Sequence, residues 1–187
     1  MEQRKFLDFL ALAEKLKCNT RHSFTTSGRK ESVAEHSWRL ALMAMLCAEE
    51  YPHLDMNKVI RMCIVHDLGE AVTGDIPSFY KTKDHEAEES RAIDTLLEGL
   101  PSPQKEEFAA LFAEMDARET EEAKLWKALD NLEAVISHNE AALSTWIPLE
   151  YTENLVYGEA NCAFSPWTKE LREMLKQDSI EKIEREQ

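Results

Sequence analysis

An all-α fold follows from three features of this chain. Apolar residues recur at three- and four-residue steps through most of its length, the 6 prolines stand where those patterns stop, and only 5 glycines interrupt 187 residues. Apolar side chains make up 43% of the sequence, enough for a sizeable core, and the length fits one domain over residues 1–187.

The first helix is expected over roughly residues 2–18, where Phe6, Phe9, Leu10, Ala13 and Leu16 keep helical spacing. The polar stretch from Cys18 to Glu31, with Gly28, is expected as a loop. Ser32-Val33-Ala34-Glu35 has the pattern of a capping box and opens a second helix that runs to about Tyr51, before Pro52. His36, Leu40, Met43 and Cys47 repeat along it, so His36 points inward from the first turns. Asp55 caps a third helix, with Val59, Cys63 and His66 on one face and Ile60, Ile64 and Asp67 on the next. Thr73 to Ser78 reads as a loop, and a fourth helix spans about Asp84 to Glu98, closed by Gly99 and Pro101. Ser102-Pro103 begins a short helix. A long one follows from about Glu119 to Trp146, striped by Leu125, Leu129, Leu132 and Ile136, with Asp130 at the stripe's edge. Ser165-Pro166 begins the last helix, through Leu171, Met174 and Leu175.

A net charge of −14 with no basic stripe excludes a nucleic-acid polymer as partner. The four cysteines, Cys18, Cys47, Cys63 and Cys162, have no paired spacing and read as thiols of a reducing cytoplasm. Neither a signal peptide nor an apolar run of membrane-spanning length is present, so a cytoplasmic protein without membrane contact is expected.

Chemistry concentrates in His36, the doublet His66-Asp67 and the distant Asp130. Two imidazoles and two carboxylates suit a divalent transition metal that must also hold water and substrate. Ionisable groups facing a core need a partner, and one metal serves all four. The doublet sits near a helix C-terminus, where carbonyl ends favour a cation.

The stretches around these residues carry more. Glu31 to Ser37, Val65-His66-Asp67-Leu68-Gly69-Glu70 and Thr73-Gly74-Asp75-Ile76-Pro77 resemble the HD-domain superfamily of metal-dependent phosphohydrolases. Within it the similarity is to the bacterial 5′-deoxynucleotidase branch and its eukaryotic HD-domain-containing relatives. The specific part is His-Asp-x-x-Glu followed by Thr-Gly-Asp-x-Pro, within a motif-bearing core of about residues 21–146. The resemblance implies a helical bundle with the metal held between helices by His36, His66, Asp67 and Asp130, and a homodimer. One divalent transition metal per chain is expected, among Co, Mn, Zn, Ni and Fe. Glu70 takes the general acid/base role, with Asp75 as second candidate. The loop Asp75, Ile76, Pro77 and Ser78 would contact the sugar and favour the absence of a 2′-hydroxyl. Arg21 matches the phosphate-orienting arginine after the first helix, and His22 stands where some relatives have a tryptophan beside the base. His36, Asp67 and Asp130 would also touch the substrate.

The activity so implied is hydrolysis of nucleoside 5′-monophosphates, deoxyribonucleotides preferred. Two alternatives stand beside it: hydrolysis of another small nucleotide-like phosphate, and a non-catalytic metal-binding interaction module. Glu70 and Asp75, which no structural ligand set requires, argue against the module. His53, His85 and His138 are expected as surface or capping groups, with no second metal. Glu86-Glu88-Glu89, Glu106-Glu107 and Glu119-Glu121-Glu122 are expected as solvated faces.

Overall fold

The computed structural model describes residues 1–186. Helix α1 (Gln3–Ala13) stops earlier than its apolar pattern, and a 3₁₀ turn over Glu14–Lys17 carries Leu16 into the core. The expected loop of residues 18–31 is instead a small antiparallel hairpin, β1 (Thr20–Phe24) and β2 (Lys30–Ser32). Thr25 N–H bonds to the Arg29 carbonyl at 2.8 Å, and Gly28 turns the chain at φ +83°. Polar composition hid this hairpin, because its inward side chains are the polar Arg21, Ser23 and Glu31 rather than apolar ones.

α2 (Val33–Leu46) starts on the expected capping box: Glu35 N–H donates to Ser32 Oγ at 3.3 Å, and Ser32 N–H to Glu35 Oε2 at 2.9 Å. It ends before the expected Tyr51, in a 3₁₀ turn over Ala48–Glu50. α3 (Met56–Val65) is capped by Asp55, which accepts from Lys58 N–H at 3.1 Å. A one-turn α4 (Glu70–Thr73) follows, then α5 (Lys83–Glu98), whose box is formed by Thr82 and His85. α6 (Gln104–Ala117) is a full-length helix, longer than the short one expected after Pro103. α7 (Glu121–Glu140) begins at Thr120, which accepts from Ala123 N–H at 3.2 Å.

The sequence pattern carried α7 to Trp146, but the helix ends at Glu140. Ala141 takes ψ 158°, and the Trp146 indole N–H folds back to the His138 carbonyl at 2.9 Å. Burying the Trp146 ring against the helix it leaves outweighs the helix propensity of Ala141-Ala142. Two single turns, α8 (Glu150–Glu153) and α9 (Glu159–Cys162), lead into α10 (Pro166–Glu186). Buried Arg172 of α10 pins the intervening turn, donating to the carbonyls of Tyr157 at 2.7 Å and Asn154 at 2.8 Å.

The core lies where α2, α3 and α7 pack together around Leu40, Val59, Met62, Leu125, Leu129, Leu132 and Val135, all without solvent exposure. Each fully buried Leu or Val contributes about 1.5–3 kcal/mol. Cys47, Cys63 and Cys162 are buried and reduced, and Cys18 is exposed. α1 has no buried residue, and Phe6, Leu7 and Leu10 are about half exposed. On α2, Trp38, Leu42, Met45 and Leu46 form a second uncovered apolar stripe. Among the described residues no helix is long and apolar enough to cross a membrane.

Candidate active site

The core helices bring the four expected metal ligands together. His36 stands in the first turn of α2, His66 and Asp67 just past the end of α3, and Asp130 midway along α7. His36 Nε2 lies 3.3 Å from His66 Nε2 and 3.2 Å from Asp130 Oδ1. Asp67 Oδ2 is 3.1 Å from His66 Nε2 and 3.8 Å from His36 Nε2. Each imidazole is oriented through its other nitrogen: His66 Nδ1 donates to the Cys63 carbonyl at 2.9 Å, and His36 Nδ1 to the Glu133 carboxylate. Both Nε2 atoms therefore face the same point, where lone pairs repel unless a proton or a cation stands between them. These donors fit a divalent transition metal by type and by convergence.

Neighbouring charges shift the titration of these donors. Burial and Arg21 push the His36 imidazole down, but Glu133 and Asp130 outweigh them and raise it to about 9. Burial likewise opposes the Asp67 carboxylate, and His66 and His36 overcome it and hold it at about 2. Asp130 is held far below its ordinary value despite burial, chiefly by Lys127, whose Nζ is 2.7 Å from Oδ2.

Behind these donors lies Glu133, which the sequence pattern did not single out. It is wholly buried, and besides His36 it accepts from Arg21 Nη1 at 2.9 Å, Arg39 Nε at 2.6 Å and Ser137 Oγ at 3.0 Å. Its carboxyl is held well below the usual range: burial acts against the charge, and His36, Arg21 and Arg39 win. One signal was available, since Glu133 falls three residues after Asp130 and Arg39 three after His36, each one helical turn on. Arg21 Nη1 also contacts Glu31 at 3.0 Å, so the arginine expected to orient phosphate is anchored by two carboxylates.

A cavity of about 190 Å³ opens onto the centre. Arg21, His22, His36, Asp67, Glu70, Asp75, Ile76, Pro77, Ser78 and Asp130 all line it, as do Lys81 and Lys127, while His66 borders the adjoining cleft toward α5 and α6. Glu70 does not continue the His66 helix as its spacing implied; α3 ends, the chain turns over residues 66–69, and Glu70 opens α4. It still faces the cavity, is 6% exposed rather than a surface carboxylate, and its Oε2 is buried without a partner. Burial, then Asp67, Asp75 and Glu89, push its carboxyl up to about 10, so it carries a proton at neutral pH. Burial raises Asp75 as well. Gly74 makes this loop possible: at φ +76° and ψ 164° it occupies a region open essentially to glycine.

His53 pairs with Glu121 at the surface, and His85 Nδ1 accepts from Thr82 N–H at 3.3 Å in the cap of α5, as expected. His138 does neither. Its side chain is 15% exposed, and it stands with His22 against the buried carboxylate of Glu150 on the cavity wall. Long-range folding of the segment after α7 creates this group, and no helical spacing announces it. Glu89 departs from the solvated face expected of its cluster, because it is largely covered and paired with Lys81.

A helical bundle that buries such a donor set at the mouth of a cavity defines a metal-dependent hydrolase. More narrowly, the chain belongs to the HD domain family, whose model matches residues 13–172. It is 32% identical over 142 residues to 5′-deoxynucleotidase HDDC2 of Homo sapiens, covering 73% of this chain and 68% of that protein. With 5′-deoxynucleotidase hdd1 of Schizosaccharomyces pombe the identity is 30%, over 68% of this chain and 67% of the relative. A solved structure, "Predicted metal-dependent phosphohydrolase from Magnetospirillum magnetotacticum MS-1", superposes with TM-score 0.81 at 32% identity, covering 96% of this chain and 93% of that one.

Proposed function

We propose that this protein is a metal-dependent phosphohydrolase that releases phosphate from nucleoside 5′-monophosphates and prefers the 2′-deoxy series. The observation that carries this is the convergence of His36, His66, Asp67 and Asp130 beside a cavity whose wall holds the buried, unpartnered carboxyl of Glu70. The names of the relatives, 5′-deoxynucleotidases of animals and yeast, support the substrate class. One divalent ion held by those four ligands, drawn from Co, Mn, Zn, Ni or Fe, supplies Lewis acidity toward phosphoryl oxygens and lowers the pKa of water.

The remaining work falls to side chains. Arg21, fixed by Glu31 and Glu133, presents a guanidinium charge to the phosphate, with Lys81 and Lys127 as further cations on the same wall. Protonated Glu70 delivers its proton to the departing 5′-oxygen and, once ionised, takes one from water; Asp75 lies on the same cavity and backs this exchange. Ile76 and Pro77 present apolar side chains to the sugar, where a 2′-hydroxyl held without a hydrogen bond costs about 1–3 kcal/mol. Ser78 reaches the sugar from the same loop, and His22 faces the base.

One domain carries the activity, in a cytoplasmic setting that suits its buried reduced thiols. The uncovered apolar stripes of α1 and α2 support a homodimer as the working form.

The decisive assay measures phosphate release across matched ribo- and deoxyribonucleoside monophosphates with metal-depleted protein and added Co²⁺ or Mn²⁺. Turnover should vanish with chelator, return with metal and favour deoxy substrates. Glu70→Gln should keep its metal and lose about 10²–10⁴-fold in rate. Wild-type turnover in Glu70→Gln removes the assigned role, and metal binding with no turnover on any phosphate removes the enzyme.

A further inference from the structure

We propose that His22, His138 and Glu150 form a second divalent transition-metal site, sharing no ligand with the first. Glu150 Oε1 lies 2.8 Å from His22 Nε2 and 3.1 Å from His138 Nε2. All three donor atoms fall within 4.8 Å of one another, the same convergence that marks His36, His66 and Asp67. Yet Oε1 accepts no hydrogen bond, although Glu150 is only 2% exposed. A buried carboxylate oxygen beside two imidazole nitrogens, bonded to neither, is arranged as ligands are around a shared ion.

The supporting contacts point the same way. His138 Nδ1 donates to Asn154 Oδ1 at 2.9 Å, which leaves its Nε2 with a lone pair toward the group, as the Cys63 carbonyl does for His66. Glu150 Oε2 is fixed by the Ile147 N–H at 2.8 Å, so Oε1 is the oxygen left to bind. Two imidazoles and one carboxylate suit Zn²⁺, Co²⁺ or Ni²⁺. The three side chains come from β1, α7 and α8 and line the cavity, so an ion held by them would tie the segment after α7 to the hairpin.

The test is a count of ions. Metal-depleted wild-type protein is titrated with Co²⁺ by equilibrium dialysis, alongside Glu150→Gln, His138→Gln and Asp67→Ala, with circular dichroism verifying that each is folded. Two ions per chain in the wild type and one in each variant are expected, with the Asp67→Ala ion retained at the second group. One ion per wild-type chain at saturating Co²⁺, or two that persist in Glu150→Gln, overturns the proposal. Anomalous scattering from Co²⁺-soaked wild-type crystals needs no variant: density between His22, His138 and Glu150 supports the site, and density at His36 and His66 alone refutes it.

Discussion

Replacing Glu133 by Gln removes a buried charge that touches no metal, yet metal binding should fall. The carboxylate accepts from Arg21 at 2.9 Å, Arg39 at 2.6 Å and Ser137 at 3.0 Å, and also from His36 Nδ1. Breaking a buried ion network by removing one member costs about 3–5 kcal/mol, since the remaining charges lose their partner. Here the loss is moderated by Arg21 keeping Glu31 at 3.0 Å and Arg39 keeping Glu140, so the lower end, about 3 kcal/mol, is expected. Through His36 the effect reaches the metal: a weaker acceptor at Nδ1 leaves the imidazole less basic and less fixed, which typically costs 10–100-fold in affinity, or about 1.4–2.8 kcal/mol. Urea unfolding of the metal-free variant measures the first quantity and calorimetric titration with Mn²⁺ the second. If stability falls while metal affinity stays at the wild-type value, Glu133 only neutralises the arginines and its positioning of His36 is wrong.

Three other outcomes follow from the same contacts. Metal-free protein should lose stability as pH rises above neutrality. His36 is raised to about 9 from about 6.5 when unfolded, so its contribution is full below 6.5 and lost through 9. Glu70, raised to about 10, binds a proton only in the folded state across the same window and adds to the fall. Thermal unfolding in chelator at pH 6.5 and pH 9 checks this; a melting temperature that holds or climbs sinks it. Gly158→Ala should destabilise by at least about 1–3 kcal/mol from its φ of +76° alone. Its Cβ would also stand 2.5 Å from Asn131 Cβ, next to Asp130, so urea unfolding and Co²⁺ affinity should both suffer, and an unaltered midpoint contradicts the packing. Finally, Trp38→Glu with Leu46→Glu should turn a dimer into a monomer in sedimentation, because both side chains lie uncovered on α2 at 66% and 76% exposure; a wild-type protein that sediments as a monomer rejects that interface.

Local signals accounted for much of the fold. The capping pattern of Ser32 and Glu35 placed α2, Asp55 placed α3, and the spacing of Leu125, Leu129 and Leu132 placed the buried face of α7. Where local signals misled, a distant contact won. Trp146 turned the chain back onto α7, and the ion pair and hydrogen bond that Arg21 and Ser23 make to Glu31 support a hairpin in a stretch with no apolar alternation. At the site, His66, Asp67, Glu70 and Asp75 were legible because their motif lies within ten residues of chain. Glu133 and Glu150 were not, because each is one acid among 36 Asp and Glu residues until folding buries it.

The sequence by itself placed most of the helices to within a few residues, and its motifs named the four candidate donors and the carboxyl of Glu70 beside them, since capping patterns and motifs are local to short segments. Only the tertiary structure decided that Arg21 is anchored by Glu31 and Glu133, that Glu70 holds its proton, and that His22, His138 and Glu150 meet. Those properties depend on burial and on charges contributed by other elements, and neither is written in local periodicity.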